Sequence, residues 1–264
     1  VAMKFKTVWV SDIHLGSRGC QAEAFTKFLD ETKFDTLIMN GDIIDGWRLK
    51  SKWFFPQEHV NATRKVLSMA KKGRKIYYVT GNHDEFLRGY HDFDMKLGNI
   101  EIVNKMVYKS NGKSFLVVHG DGFDNIMHYH KWVAYIGDVG YNLMLSFNSF
   151  YNKIRGALGY EYWSISKYLK HRVKEAANFM FKFEETAATM VHGKYDGVIC
   201  GHIHHPEIKM IGYDNTLYLN SGDWVETCSW IGETEDGILQ VWEWNNGTPI
   251  LLKEYRDGEI LNHV

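Results

Sequence analysis

Cysteine is scarce. The 264 residues include three, Cys20, Cys200 and Cys228, an odd number with no CxxC spacing. That excludes a disulfide-framed scaffold and points to a reducing compartment. Charge of one sign is also missing. The formal net charge is -1, so no overall basic bias calls for nucleic acid and no acidic excess calls for disorder. Long hydrophobic runs are absent too. Within the aromatic-rich middle of the chain the longest uncharged stretch runs from Val139 to Asn152, short of the ~20 residues that span a bilayer. Phe5–Val10 is short and alternates like a strand, and no small-residue cleavage site follows it, so a secretory signal is not expected there. Repeats and low-complexity segments are lacking. The expectation is a cytoplasmic protein, with peripheral attachment at the inner face of the cell membrane left open.

What the chain does have is a regular alternation of elements. Phe5–Val10, Thr36–Asn40 and Lys75–Thr80 read as strands, with helices over Gln21–Lys33 and Gln57–Lys72 between them. Strands follow near Glu101–Val103 and Lys105–Lys109, and Asn111-Gly112 turns the chain into Ser114–Val118. From about 125 to 193 the periodicity is helical. Strands then return over Gly197–Cys200, Glu207–Gly212, Thr216–Leu219, Cys228–Gly232, Ile238–Trp244 and Ile250–Tyr255. This predicts a single α/β domain over 3–264 with a helical insertion at about 125–193, its strands forming a mixed sheet or a two-sheet sandwich.

Five of these strands end in ligand-type side chains. Phe5–Val10 runs into Ser11-Asp12-Ile13-His14, Thr36–Asn40 into Gly41-Asp42, and Lys75–Thr80 into Gly81-Asn82-His83-Asp84. Ser114–Val118 runs into His119-Gly120-Asp121, and Gly197–Cys200 into Gly201-His202-Ile203-His204. Ligands in open α/β sheets bind at the carboxyl ends of strands, so the five ends can converge. Asp12, His14, Asp42, Asn82, His119, His202 and His204 supply carboxylate, imidazole and amide groups and no thiolate. This donor set suits Mn, Fe, Zn or Mg rather than a structural zinc or an iron–sulfur cluster. Seven side chains are too many for one tetrahedral ion and fit two divalent ions, Mn2+ first among them. Such a pair, ~3.5–4 Å apart, serves in-line displacement at phosphorus. His83, beside a ligand, can protonate a leaving oxygen or bind the phosphoryl group. Asp84 next to it would fix its tautomer, or alternatively cap a helix over Glu85–Tyr90.

The order Asp-x-His, Gly-Asp-x-x-Asp, Gly-Asn-His-Asp, His-Gly-Asp and Gly-His-x-His is similar to that of the calcineurin-like metallophosphoesterases. The resemblance implies a sandwich of two mixed β-sheets flanked by helices. It also implies one metal on Asp12, His14, Asp42 and His204, with Asp42 bridging to a second on Asn82, His119 and His202. His83 then matches the family's substrate-side histidine and Asp84 its orienting partner. More narrowly, Ser11-Asp12-Ile13-His14-Leu15, Gly201-His202-Ile203-His204-His205-Pro206 and Asn220-Ser221-Gly222-Asp223-Trp224-Val225 resemble the bacterial UDP-2,3-diacylglucosamine diphosphatases of lipid A biosynthesis and their sister group. Trp47-Arg48 and the stretch from Tyr162 to Lys174 extend that likeness in the sister group. The implied reaction splits a pyrophosphate into UMP and 2,3-diacylglucosamine 1-phosphate. His83 departs from the arginine those enzymes carry at this position, which leaves a broader phosphodiesterase or phosphomonoesterase acting on soluble nucleotides as the alternative.

The insertion is rich in aromatic residues, among them Trp132, Tyr135, Tyr141, Phe147, Phe150 and Tyr151. Its aromatics either pack on one another or form a lid for acyl chains or a membrane surface. Lys167, Lys170 and Lys174 recur on one helical face beside His171 and Arg172. They form a solvated face or a site for phosphates and anionic head groups. Arg18, Arg48 and Arg88 closely follow the first three motifs and are candidates to bind a substrate phosphate. The expected partner is a phosphorylated small molecule or lipid-linked nucleotide, not nucleic acid.

Overall fold

The computed structural model describes residues 3–93, 96–123, 158–159, 165–212 and 214–263, with side chains at 90–93 and 165–172 outside the description. Its strands are β1 (Lys4–Val10), β2 (Lys33–Asn40), β3 (Lys75–Val79), β4 (Lys96–Leu97), β5 (Ile100–Val103), β6 (Lys105–Ser110), β7 (Lys113–Val118), β8 (Gly197–Cys200), β9 (Glu207–Ile211), β10 (Thr216–Asn220), β11 (Ser229–Glu233), β12 (Leu239–Asn245), β13 (Thr248–Arg256) and β14 (Glu259–Asn262). Among the described residues the α-helices are α1 (Ala22–Glu31), α2 (Gly46–Ser51), α3 (Gln57–Lys71) and α4 (Ile165–Val191). Nine strands form one sheet in the order β14-β13-β12-β11-β1-β2-β3-β5-β4, and five form a second in the order β6-β7-β8-β10-β9.

The strand sequences explain the layering. β1 and β2 are buried on both faces, so they read as near-continuous apolar runs. Period-two alternation divides them between two cores. Val8, Val10, Leu37, Met39, Ile76 and Tyr78 join Phe25, Phe28, Ala62 and Val66 on the helical side. Trp9, Ile38 and Val79 face the other way and pack with Phe115, Val117 and Ile199 of the five-stranded sheet. The two sheets therefore share a core, and α1 and α3 cover the outer face of the larger one. In α1 the buried Ala22, Phe25, Phe28 and Leu29 follow helical spacing, as do His59, Ala62, Val66, Met69 and Ala70 in α3.

β2 begins at Lys33, earlier than the expected Thr36, because Phe34 is buried while Lys33 and Asp35 are exposed and Phe34 pairs with Phe5 of β1. After Asp84 the chain forms a 3₁₀ segment over Glu85–Phe93. By contact density the chain divides into Val1–Phe123 with Glu185–Val264, and Asp124–Glu184. Much of the expected insertion, including most of its aromatic residues, lies outside the described residues, and the described part is mainly α4. Val173 and Phe181 of α4 are exposed. No described helix is long and apolar enough to cross a membrane.

Candidate metal centre

β1, β2 and β3 are mutually parallel, and so are β7 and β8. Their carboxyl ends meet. The Asn40 amide joins them across the two sheets, donating to the Val118 carbonyl (3.2 Å) and the Ile199 carbonyl (3.3 Å). Backbone bonds lace the loops beyond: Asp12 N to Gly41 O (3.0 Å), His14 N to Asp42 O (2.9 Å) and Gly201 N to His119 O (3.0 Å). Asp12, His14, Asp42, His202 and His204 all take positive φ, between 51° and 70°. The left-handed region costs a non-glycine residue of order 1–3 kcal/mol, and such strain clusters at functional sites. Here each strand must turn sharply so that its next side chain points inward.

Each of the two ligand carboxylates divides its oxygens between structure and site. Asp12 Oδ2 accepts from His202 N at 2.9 Å, and Asp42 Oδ1 accepts from His83 N at 2.8 Å. Their other oxygens face the imidazoles. Asp12 Oδ1 lies 3.3 Å from His204 Nε2, 3.8 Å from His14 Nε2 and 4.0 Å from His119 Nε2. Asp42 Oδ2 lies 3.3 Å from His119 Nε2 and 3.9 Å from His14 Nε2. Among the described residues three groups result, Asp12 with His14 and His204, Asp42 with His119 and His202, and His14 with Asp45 and His83, each with its ligand atoms within 4.8 Å of one another. Asp12 Oδ1, Asn82 Oδ1 and His119 Nε2 are buried without a hydrogen-bond partner among the described residues. Buried orphans cost about 1–3 kcal/mol each, and divalent cations would satisfy them. The His119 Nδ1–H donates to the Asn40 carbonyl at 2.9 Å, which leaves Nε2 as the ligand atom. The residues fit a pair of divalent ions.

Electrostatics agree with this donor chemistry. Burial pushes the Asp12 carboxyl up, but His204 and His119 overcome it and hold it below the usual range. Asp42 is likewise raised by burial and lowered further by His119 and His14. Burial lowers His119, and Asp42 and Asp12 reverse that, lifting it to about 10. His204 rises to about 9, where Asp12 outweighs burial.

His83 projects toward the same centre, with Nε2 3.9 Å from Asp42 Oδ2. Its expected orienting partner does not reach it. Asp84 is fully buried and turned away: Oδ2 accepts from Ile43 N (2.9 Å) and the Tyr78 hydroxyl (2.7 Å), and Oδ1 from Gly81 N (2.5 Å). It ties the β2 and β3 loops together. The partner is Asp45, whose Oδ1 lies 2.9 Å from His83 Nδ1 and whose Oδ2 lies 3.7 Å from His14 Nδ1. Asp45 stands in the Gly-Asp-x-x-Asp stretch, and that spacing was the only sequence signal for it.

The arginine expectations divide. Arg88 is committed inside the protein: Nη1 and Nη2 pair with Asp121 at 2.8 and 2.9 Å, and Nη2 and Nε donate to Thr80. It cannot serve a substrate phosphate without breaking this fork. Arg18 is exposed, its guanidinium 4.9 Å over the Phe54 ring, and Arg48 is exposed on α2. Lys167, Lys170 and Arg172 lie on α4 with side chains outside the described residues. Sequence reasoning named Asp223 within a motif but gave it no role. Its Oδ2 lies 3.7 Å from His204 Nδ1, and its Oδ1 accepts from the backbone of Val225, Glu226 and Thr227.

Residues 5–206 match the family model for the calcineurin-like phosphoesterases, and the chain belongs to that family. It is 28% identical over 159 residues to the DNA polymerase II small subunit of Pyrococcus furiosus, covering 47% of this chain and 25% of that protein. It is 28% identical over 127 residues to a UDP-2,3-diacylglucosamine hydrolase of Porphyromonas gingivalis, covering 45% of this chain and 47% of that one. The chain thus spans between a quarter and a half of these relatives. A dimetal phosphatase from Danio rerio aligns over 94% of this chain and 98% of its own at 11% identity, with a TM-score of 0.45.

Proposed function

We infer that this member of the calcineurin-like phosphoesterase family is a dinuclear metal-dependent hydrolase of phosphoanhydride or phosphodiester bonds. The observation that carries the reading is the pair of buried carboxylate–imidazole groups whose unpartnered oxygen and nitrogen atoms face one another at the strand ends. Asp12, His14, Asp42 and His204 would hold one ion, and Asp42, Asn82, His119 and His202 the other. Bound there, two divalent ions supply Lewis-acid activation of water and neutralise charge on the phosphoryl oxygens.

The chain's own part is to place and protonate. A carboxylate can only accept, so the Asp45 contact fixes a proton on His83 Nδ1. The proton His83 can give is then the one on Nε2, the nitrogen that faces Asp42. Nε2–H donates to the leaving oxygen as the P–O bond breaks, and the electron pair stays with that oxygen. Asp45 keeps the resulting neutral imidazole in its Nδ1–H tautomer.

The substrate proposed is the pyrophosphate of a UDP-2,3-diacylglucosamine-type sugar nucleotide, cleaved at the inner face of the cell membrane. It is supported by the likeness to the Porphyromonas gingivalis hydrolase, 28% identical over 127 residues, and by the motifs that resemble those of the UDP-2,3-diacylglucosamine diphosphatases. A second reading, a broader phosphodiesterase or phosphomonoesterase on soluble nucleotides, is favoured by His83 standing where the UDP-2,3-diacylglucosamine diphosphatases typically carry arginine. Hydrolysis assays with Mn2+ on UDP-diacylglucosamine, bis-p-nitrophenyl phosphate and p-nitrophenyl phosphate separate them. Preference for the lipid by orders of magnitude in kcat/KM supports the first reading. Comparable turnover of the aryl diester and inertness toward the lipid support the second. Failure on all three with metal bound overturns both.

A further inference from the structure

The geometry points to Trp47 as a positioning residue for His83: its indole holds the plane of the imidazole while Asp45 holds one of its nitrogens. The inference rests on the proposed hydrolase reading of the site.

One hydrogen bond fixes one point of a ring. The Nδ1 contact to Asp45 leaves the imidazole free to swing about that bond, which would carry Nε2 away from the reacting oxygen. Two further contacts remove the freedom. The Trp47 ring lies over His83 with centroids 4.2 Å apart and planes inclined by 33°. The His14 ring meets His83 edge-on, with centroids 4.6 Å apart at 86°. Only 22% of the His83 side chain stays exposed.

Trp47 is itself anchored to the segment it grips. Its Nε1–H donates to Glu85 Oε1 at 3.2 Å, two residues beyond His83. Between the two ring contacts the backbones touch, Gly46 N donating to the His83 carbonyl at 3.0 Å. A Cβ on Gly46 would sit 2.7 Å from that carbonyl oxygen, so only glycine allows the approach. Asp45, Gly46 and Trp47 therefore grip His83 through Glu85 at four successive points. Aromatic pairs of this tilt and spacing are attractive beyond the area they bury. Trp47 remains 39% exposed.

If Trp47 acts through His83, the two residues must be coupled. A double-mutant cycle over Trp47→Ala, His83→Ala and the pair tests this. Expected for Trp47→Ala alone is a kcat loss of about 10-fold, part of the about 10²–10⁴ a general acid supplies. The loss should be larger for a phenyl than for a p-nitrophenyl phosphodiester, because a poor leaving group depends more on protonation. In the His83→Ala background the same change should cost less than about 2-fold. Trp47→Phe should restore most of the loss, and Glu85→Gln should keep it small. Equal losses in both backgrounds, or a loss confined to KM, would overturn the assignment.

A readout independent of turnover separates this inference from the functional reading. In the metal-free protein, the ¹⁵N and ¹³C resonances of the His83 ring should move and broaden in Trp47→Ala while those of His119 stay in place. If no phosphoester is turned over but the His83 resonances respond, the hydrolase reading fails and the clamp stands. Unchanged His83 resonances overturn the clamp.

Discussion

A buried carboxylate is read by what its two oxygens do. Asp84 spends both on buried donors: Ile43 N and the Tyr78 hydroxyl on one, Gly81 N on the other. Burial and the neighbouring Asp42 raise its pKa, and the hydrogen bonds from Tyr78 and Gly81, which favour the ionised acceptor, pull against that rise. Asp84→Ala would leave these donors buried and unpaired, for which about 2–5 kcal/mol of destabilisation is expected. Urea unfolding of the metal-free protein measures it. Full stability with lost turnover would return Asp84 to the chemistry. Asp45 makes the opposite prediction. His83→Ala and Asp45→Asn should each lower kcat by about 10²–10⁴, and the double variant by little more than either. Metal analysis of His83→Ala should still find its ions; losing one would make His83 a ligand. This division of labour was only half legible in the sequence. Asp84 adjoins His83 along the chain, but adjacent residues leaving a strand point different ways. Asp45 reaches His83 only because the β2 and β3 loops are neighbours in space.

Elements were more legible than their partners. Strands buried on both faces leave unbroken apolar runs, and α1 and α3 leave periodic ones, so each was visible in the chain. The short helix α2 was not: Gly46–Ser51 is too brief to show a period, and its start is marked only by Asp45, which accepts from Arg48 N at 3.0 Å. The edge strand β14 was hidden for the same reason, following the Asp257-Gly258 turn with little apolar alternation. Loops at the strand ends carry the tightest constraint. A Cβ on Gly201 would strike Ser11 Oγ and lie 2.5 Å from Asp12 Oδ2, the oxygen that holds His202 N. Gly201→Ala should therefore displace a ligand carboxylate and the His202–His204 loop together. Expected are about 1–3 kcal/mol of destabilisation and a loss of about 10–100-fold in Mn2+ affinity. Gly73→Ala is the control. It is also at positive φ, but nothing lies within 4 Å of its Cβ position. It should cost about 1–2 kcal/mol and leave metal affinity alone. Equal metal affinity in Gly201→Ala and the parent would show that the close approach is not needed.

Strand order was not legible at all, because pairing between distant segments leaves no local trace: β11 lies against β1, with Trp9 opposite Ile231. That order sets the electrostatics of the whole molecule, since it gathers like and unlike charges from both sheets into one buried volume. The consequence is a linkage between pH, metal and stability. Unfolded histidines titrate near ~6.5, whereas His119 and His204 are lifted to about 10 and about 9 in the metal-free fold. Their charged forms thus stabilise the metal-free protein fully below ~6.5, and this contribution is lost as the pH rises through 9 to 10. Metal needs the neutral rings, so binding at pH 7 must expel their protons. Asp12 and Asp42, held below the usual carboxylate range, are already ionised and release none. Titrating Mn2+ calorimetrically at pH 7 in buffers of different ionisation enthalpy should show release of more than one proton per chain. Apparent affinity should rise with pH toward 9, by about tenfold per unit for each proton expelled. Thermal unfolding should show the same linkage from the other side: with rising pH, Tm falls without metal, and the increment that Mn2+ adds grows. No proton release at pH 7, or a metal increment independent of pH, would mean that the imidazoles are already neutral and that the buried carboxylates do not hold them charged.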